Sequence, residues 1–112
     1  MGLRHAKGDG VKQNNSEAAK WYRKAAKHGH VSAQNNLGLM YRKGQGVDRD
    51  YGEAMMWFRK AAERGHMRAQ HNLGNMYLKG QGVKPDREEA RKWFTKAAEQ
   101  GHKGSREALD SM

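Results

Sequence analysis

A repeat of 36 residues runs along the whole chain and constrains the fold more than any other sequence feature. Shifted by 36 residues without a gap, Gly2–Leu37 matches Gly38–Leu73 at 19 positions, and Gly38–Leu73 matches Gly74–Leu109 at 20 positions. A constant period between about 20 and 50 residues is typical of solenoids, in which each unit buries its apolar side against its neighbours. The 112 residues therefore predict one domain, 1–112, made of about three stacked units.

Each unit is predicted to contain two helices, and the middle copy shows both. Ala33, Leu37 and Tyr41 are spaced four residues apart, so they lie on one side of a first helix, called helix A. The glycines of Gly44–Val47 end helix A in a turn. Asp50 is then the expected N-cap of a second helix, called helix B.

Helix B carries an apolar stripe of small and aromatic residues that recurs in all three copies and ends at a glycine. Alanine allows close approach of two helices, and Trp fills the space between layers. In the first copy, Asn14 takes the N-cap position. The stripes are Ala18, Trp21, Tyr22, Ala25, Ala26 and Gly29, then Ala54, Trp57, Phe58, Ala61, Ala62 and Gly65, then Ala90, Trp93, Phe94, Ala97, Ala98 and Gly101.

These residues form a motif that resembles the Sel1-like repeat, a relative of the tetratricopeptide repeat. The motif reads Ala-Gln-x-Asn-Leu-Gly-x-Met-Tyr, Gly-x-Gly-Val, and Ala-x-x-Trp-Phe-x-Lys-Ala-Ala-Glu-x-Gly-His, and it covers nearly the whole chain. The resemblance implies an all-α fold, a right-handed α-solenoid of antiparallel helix pairs. It also implies an adaptor, bacterial in type, that recruits another protein and has neither enzymatic activity nor a cofactor.

The repeat divides the chain into a partial repeat 1–30, repeats 31–66 and 67–102, and a C-terminal capping helix 103–112. Gly2–His5 aligns with Gly38–Tyr41, so the first helix A lacks its first half. This predicts either a piece of a longer array or an open N-terminal end, with apolar surface around Leu3 and Trp21, that packs on a second copy. The oligomeric state is accordingly predicted as monomer or homodimer.

Composition restricts the classes of partner. Lys and Arg number 22 against 12 Asp and Glu, a net charge of +10, which favours acidic partners. The absence of Cys excludes disulfides, thiolate metal sites and Cys nucleophiles. Neither a long apolar run nor the apolar stretch of a secretory signal is present, so we expect no membrane span. The compartment stays open, with the cytoplasm favoured over the periplasm or the exterior.

The first candidate site lies on the A helices, which would line the concave face if the units pack as tetratricopeptide repeats do. Asn side chains can bond the backbone of an extended peptide, and Lys and Arg bind carboxylates. We therefore predict an acidic or C-terminal peptide as the ligand. The alternative is that Asn36 and Asn72 only bond the neighbouring turn of the solenoid. The predicted contacts are Asn36, Lys43, Arg68, Asn72, Asn75 and Lys79.

The second candidate site is a basic stripe on the first helix B, where four cations share one face: Lys20, Arg23, Lys24 and Lys27. It predicts an anion-binding convex face for nucleic acid or acidic lipid, against the alternative of an ordinary solvated face. Nucleic acid is the less expected ligand, because nearly every aromatic residue occupies a predicted core position.

Metal binding and catalysis are not predicted. His30, His66 and His102 recur once per unit, on the order of 10 Å apart, which is too far for one zinc ion; each is expected to help start the following A helix. No sequence motif of a hydrolase or a phosphate loop is present. Some cysteine-rich relatives have reported penicillin-binding activity, so β-lactam binding or hydrolysis is a remote alternative that this Cys-free chain does not support.

Overall fold

The structure is a computed structural model that describes residues 11–112, with side chains from residue 15 onward. The predicted partial A helix at Gly2–His5, including Leu3, lies outside the described residues. Within residues 11–112 all regular structure is helical. The helices are α1 (Val11–Lys27), α2 (Val31–Lys43), α3 (Tyr51–Glu63), α4 (Met67–Lys79), α5 (Arg87–Glu99) and α6 (Lys103–Ser111).

The helices pack in sequence order, each against the next, as an α-solenoid of helix pairs. The A helices are α2, α4 and α6, and the B helices are α1, α3 and α5. This confirms the all-α solenoid that the repeat predicted.

Aspartate caps begin two of the B helices as expected. Asp50 and Asp86 have extended backbones, and their carboxylates accept the backbone N–H of Glu53 at 3.0 Å and of Glu89 at 3.1 Å. Each bond satisfies one of the N–H groups that a helix start leaves without an internal acceptor.

The first B helix starts earlier than predicted. Helix α1 begins at Val11, so Asn14 lies inside it and the prediction of Asn14 as N-cap was wrong. Before α5, Pro85 restricts the residue that precedes it to an extended backbone, which keeps the chain non-helical up to Asp86. The segment 11–14 contains neither Pro nor Gly, but the equivalent segment 47–50 before α3 also contains neither and is not helical, so the absence of these residues does not explain the early start of α1.

Histidines cap two of the A helices. The Nδ1 atom of His66 accepts the backbone N–H of Ala69 at 3.2 Å, and that of His102 accepts the backbone N–H of Ser105 at 3.1 Å. His30 precedes α2 with the same backbone conformation but makes no side-chain cap bond. The predicted role in starting the A helices is therefore confirmed for His66 and His102.

The turn between helices A and B rests on the B helix of the preceding unit, and glycine makes this possible. Gly46 has a φ of +76°, and a Cβ there would stand 2.2 Å from the carbonyl oxygen of Asn15 in α1. Gly82 repeats this arrangement one unit later, 2.9 Å from the carbonyl oxygen of Tyr51. Any larger residue would separate the turn from the helix beneath it.

The two described A and B pairs, α2 with α3 and α4 with α5, are each closed by a phenylalanine that lies against a glycine. Phe58 and Phe94 are completely buried. A Cβ added to Gly38 would approach the Phe58 ring to 2.7 Å, and one added to Gly74 would approach the Phe94 ring to 2.9 Å. Glycine on helix A therefore sets how closely helix B can approach.

The tryptophans join successive units, and they differ sharply in exposure. Trp57 is 7% exposed and packs with Ala26 and Leu37 of the preceding helices, and Trp93 is 5% exposed. Trp21, at the equivalent position of α1, is 67% exposed. This confirms the prediction that apolar surface is uncovered around Trp21.

Candidate functional site

The exposed charges of helices α2 and α4 are all positive. Lys43 and Lys79 occupy the last turns of α2 and α4, and Arg68 occupies the first turn of α4; all three are exposed. Neither helix contains an Asp or a Glu. Together with Asn36, Asn72 and Asn75, which are partly buried, these cations form what we call the A-helix face.

Asn72 connects two successive A helices. Its Nδ2 donates to Oδ1 of Asn35 in α2 at 3.0 Å, and Asn35 is 4% exposed. A buried amide oxygen needs such a donor, because leaving it unpaired costs about 1–3 kcal/mol. Asn72 therefore makes a bond within the solenoid, but its partner is the preceding A helix and not the neighbouring turn that the alternative named.

Asn75 belongs to a chain of hydrogen bonds that joins α4 to α6. An amide nitrogen can only donate, so Nδ2 of Asn75 donates to Nε2 of His71 at 3.2 Å. The proton of the neutral His71 ring is then on Nδ1, which donates to Oγ of Ser105 at 2.8 Å. The Ser105 hydroxyl in turn donates to Nδ1 of His102 at 3.0 Å. Ser105 is completely buried, so this chain is internal to the solenoid.

The environment of His71 favours the neutral ring that this hydrogen-bond chain requires. Burial, with smaller contributions from the nearby His102 and Arg42, lowers the pKa of His71 to about 4. The rings of His71 and His102 are 4.6 Å apart between centroids, so two positive charges there would repel each other.

A glutamine at the same position of two repeats, Gln34 and Gln70, makes a third set of polar contacts, which the sequence analysis did not predict. Nε2 of Gln34 donates to the carbonyl oxygen of Ala26, and Nε2 of Gln70 donates to that of Ala62, each at 3.1 Å. Gln100 then donates to Oε1 of Gln70 at 2.9 Å. The available signal was a polar residue following the buried Ala of each full A helix.

The basic stripe of α1 contains cations of two kinds. Lys20, Arg23, Lys24 and Lys27 are all exposed. Arg23 hydrogen-bonds to the hydroxyl of Tyr41 and lies over its ring, and Arg59 makes the same contacts with Tyr77 one unit later. The Nζ of Lys24 lies 5.8 Å from the Trp21 ring. Arg23 thus connects helix B to the next helix A, which leaves the three lysines as the outward charges of the stripe.

The described residues contain neither a cluster of metal-binding side chains nor a membrane-spanning helix. Among residues 11–112, no cluster of three or more His, Asp or Glu side chains is arranged to hold a metal ion. None of the helices α1 to α6 has both the length and the hydropathy of a membrane span.

These observations define the class of protein: a helical-repeat solenoid whose polar networks support its helix faces. The family model of the Sel1 repeat matches residues 1–30, 31–66 and 68–102, and the chain belongs to the Sel1 repeat family. Sel1 repeat proteins are generally protein-interaction scaffolds on a non-catalytic fold.

Three solved structures are similar to the chain. A Sel1 repeat protein from Oxalobacter formigenes is 42% identical, with a TM-score of 0.83, over 98% of this chain and 83% of that one. A protective antigen of uropathogenic Escherichia coli with an SLR fold is 48% identical, with a TM-score of 0.82. That match covers 93% of this chain but only 22% of the antigen.

The third structure, cysteine rich protein B of Helicobacter pylori, is 25% identical, with a TM-score of 0.76, over 81% of this chain and 68% of that one. No curated protein sequence matches the chain.

Proposed function

We propose that the chain is a non-enzymatic adaptor whose A-helix face binds an acidic or C-terminal segment of another protein. The observation that carries the proposal is the charge of helices α2 and α4, which together contain Arg42, Lys43, Arg68 and Lys79 and no carboxylate. A face with one sign of charge attracts a segment of the opposite sign and orients it during encounter.

The exposed cations are the groups that would contact carboxylates. Arg68 can bind a carboxylate with two parallel hydrogen bonds, whereas Lys43 and Lys79 act as point charges. Arg68 and Lys79 are separated by about 16 Å along α4 at 1.5 Å per residue, a span that an extended segment of about five residues covers. Such a segment can place carboxylates at both ends of the helix.

The asparagines have a second role in this proposal. Asn72 and Asn75 use their Nδ2 atoms inside the solenoid, so each has its amide oxygen to accept a backbone N–H from the bound segment. Because Asn72 and Asn75 are held by these internal bonds, they would meet the segment without losing side-chain freedom on binding.

The test compares two variants with the same change of charge. The first variant, called the A-helix variant, combines Lys43→Glu, Arg68→Glu and Lys79→Glu. The control variant combines Lys84→Glu, Arg87→Glu and Arg91→Glu, which are exposed residues of α5 and of the loop before it. Fluorescence anisotropy then measures the Kd of a labelled acidic peptide with a free carboxyl terminus. A neutral peptide, with Asn and Gln replacing Asp and Glu, and an amidated peptide serve as ligand controls.

We expect the A-helix variant to weaken binding of the acidic peptide at least about tenfold and the control variant to weaken it about twofold or less. Equal losses in the two variants would show that only net charge matters and would overturn the proposal. Equal affinity of the parent chain for the acidic and the neutral peptide would also overturn it.

The alternative is an anion-binding face on α1. Its variant combines Lys20→Glu, Lys24→Glu and Lys27→Glu, and its ligands are single-stranded DNA and vesicles containing anionic lipid. The alternative would be favoured if the parent chain bound either ligand more tightly than the peptide. This binding should be lost in the α1 variant, and its affinity should fall steeply as the salt concentration rises. Turnover of a chromogenic β-lactam is not expected, since the chain has no Cys and thus lacks the disulfides of the cysteine-rich relatives.

A further inference from the structure

A hollow of about 430 Å³ lies on the surface between the B helices α3 and α5. This volume is within the range of small-molecule sites, about 300–1,000 Å³. The side chains that form its walls come from α3, α4 and α5: Arg59, Glu63, Gln70, Lys92, Trp93 and Lys96. No residue that we assigned to the A-helix face lines it, so the hollow is separate from the proposed peptide-binding face.

The neutral hydrogen-bond acceptors of the hollow already have donors inside the protein. Nε2 of Gln100 donates to the carbonyl oxygen of Gly65 and to Oε1 of Gln70, each at 2.9 Å. Nε2 of Gln70 in turn donates to the carbonyl oxygen of Ala62 at 3.1 Å. Apart from the carboxylate of Glu63, the wall groups that remain to bond a ligand are therefore donors.

Two lysines of α5 lie beside the tryptophan that lines the hollow. Nζ of Lys92 is 5.3 Å from the centroid of the Trp93 ring, and Nζ of Lys96 is 5.7 Å from it. Lys92 also lies 3.9 Å from a carboxylate oxygen of Glu89, an exposed pair that contributes little. Because both ammonium groups lie near one ring, a bound anion would reduce the repulsion between them.

Arg59 adds a third positive charge from α3. Its guanidinium is held by a hydrogen bond to the hydroxyl of Tyr77, which leaves most of its five N–H donors for other partners. Glu63 is the one carboxylate among the lining residues, and it forms no ion pair within 4.0 Å with any described residue. With the two lysines of α5, the lining has three positive charges and one negative charge, a net charge of +2.

The equivalent place one unit earlier is less open. There, the hollow that Gln34 and Lys60 line measures about 240 Å³. Arg64 lines it as well, and Nη1 of Arg64 would lie 3.8 Å from a Cβ at Gly29. At Gly65, the equivalent of Gly29, nothing in the described chain lies within 4 Å of such a Cβ. Of the two hollows, the one between α3 and α5 therefore has more room for a ligand.

We propose that the hollow between α3 and α5 binds a dianionic phosphate group, either free or carried by a small molecule as a monoester. Such a group has a charge of about −1.5 to −2 at pH 7 and three strong acceptor oxygens. It therefore complements a lining of charge +2 whose free polar groups are donors. The guanidinium of Arg59 can bond two phosphate oxygens at once, and the ammonium groups of Lys92 and Lys96 act as point charges.

Trp93 supports this ligand class in two ways. Its Nε1–H is buried and has no acceptor in the described chain, so the ring brings a donor and no acceptor to the wall. The residue is only 5% exposed, so it offers no ring face on which a nucleobase could stack. A small phosphate therefore fits the hollow better than single-stranded nucleic acid does.

Nuclear magnetic resonance titration of the isotope-labelled chain at constant ionic strength tests the site, since the three tryptophans give three indole N–H signals. The probe is methyl phosphate, and dimethyl phosphate, a monoanionic diester, is the matched ligand control. Inorganic phosphate is the third ligand. Tighter binding of methyl phosphate than of inorganic phosphate identifies an esterified ligand as the source of the group, and the reverse order identifies free phosphate.

We expect the indole signal of Trp93 to shift and saturate with methyl phosphate, with a Kd of about 1 mM or tighter. Lys92→Gln with Lys96→Gln should weaken binding at least about tenfold, because two charge-assisted contacts are lost. Arg87→Gln with Arg91→Gln is the control, since these exposed residues of α5 do not line the hollow. This control has the same change of charge and should weaken binding about twofold or less.

A gain of affinity gives a second test, which a merely destabilised variant would not pass. Glu63→Gln should tighten binding of methyl phosphate at least about threefold, because it removes the negative charge beside the bound anion. Glu99→Gln, at the equivalent position of α5, should change the Kd about twofold or less. Circular dichroism verifies that each variant is folded.

The proposal is wrong if the Trp93 signal shows no saturable shift up to about 10 mM methyl phosphate. It is also wrong if the lysine variant and its arginine control lose equal affinity, since only the net charge of the chain would then matter. Binding of dimethyl phosphate as tight as that of methyl phosphate would overturn it too, because the hollow would not select a dianion.

Discussion

Replacement of Gly74 by Ala tests whether the glycine of helix A sets the distance between paired helices. In an exposed helix, Gly to Ala stabilises by about 1 kcal/mol, because Ala loses less backbone freedom on folding. Here the added Cβ would stand 2.9 Å from two ring atoms of Phe94 and 3.2 Å from the carbonyl oxygen of Ala90. Neither neighbour can move easily, since Phe94 is completely buried and Ala90 contributes backbone.

Overpacking of a dense core costs about 1–3 kcal/mol, and two rigid neighbours favour the upper part of this range. After subtraction of the helix preference, we expect Gly74→Ala to lower the free energy of unfolding by about 2 kcal/mol. Gly52→Ala in α3 is the matched control. Gly52 is exposed and its Cβ would contact only Asp50, so we expect a stabilisation of up to about 1 kcal/mol.

Urea titration followed by far-ultraviolet circular dichroism measures both changes. Phe94→Leu is then combined with Gly74→Ala, because a smaller side chain makes room for the new methyl group. The double variant should lose less stability than the sum of the single changes. A Gly74→Ala chain as stable as the parent, or additive losses in the double variant, would refute the steric argument.

Two further predictions concern the polar contacts between A helices. Asn72→Ala should lower the free energy of unfolding in urea by about 1–3 kcal/mol, since the buried Oδ1 of Asn35 loses its donor; an unchanged stability would contradict this. The pKa of His71 is lowered from 6.5 to about 4, so between these pH values the unfolded chain binds more protons and stability falls as the pH is lowered. His71→Asn should therefore lose less stability than the parent between pH 7 and pH 5, as measured by urea midpoints; equal losses would exclude His71 as a source of the pH dependence.

The sequence was sufficient for the architecture because each of its determinants is local or repeats at a constant period. The spacing of Leu37 and Tyr41 indicates a helix, and Asp50 and Asp86 supply caps to the residues three positions further on. The exception, Asn14, shows the limit of this reasoning: a residue suited to capping does not stop a helix when the preceding segment can also be helical.

The candidate site was only partly accessible to sequence reasoning. The positive charge of the A-helix face is a property of composition, so Lys43, Arg68 and Lys79 could be selected from the sequence. The partners of the asparagines could not, because Asn72 bonds Asn35 across 37 positions and His71 bonds Ser105 across 34. Such pairs depend on how one A helix is rotated against the next, which the repeat period does not specify.

The three tryptophans of the B helices separate the contribution of the sequence from that of the stacked structure. Trp21, Trp57 and Trp93 occupy identical positions of the repeat, and the sequence alone determined that each lies on the apolar side of a B helix. The open-end alternative predicts an uncovered surface around Trp21, but only the stacked structure shows how far the three differ: Trp57 and Trp93 are buried, whereas Trp21 is 67% exposed. Burial in a solenoid depends on neighbouring units, because Trp57 is removed from water by Ala26 of the preceding unit together with Ala33 and Leu37 of its own A helix.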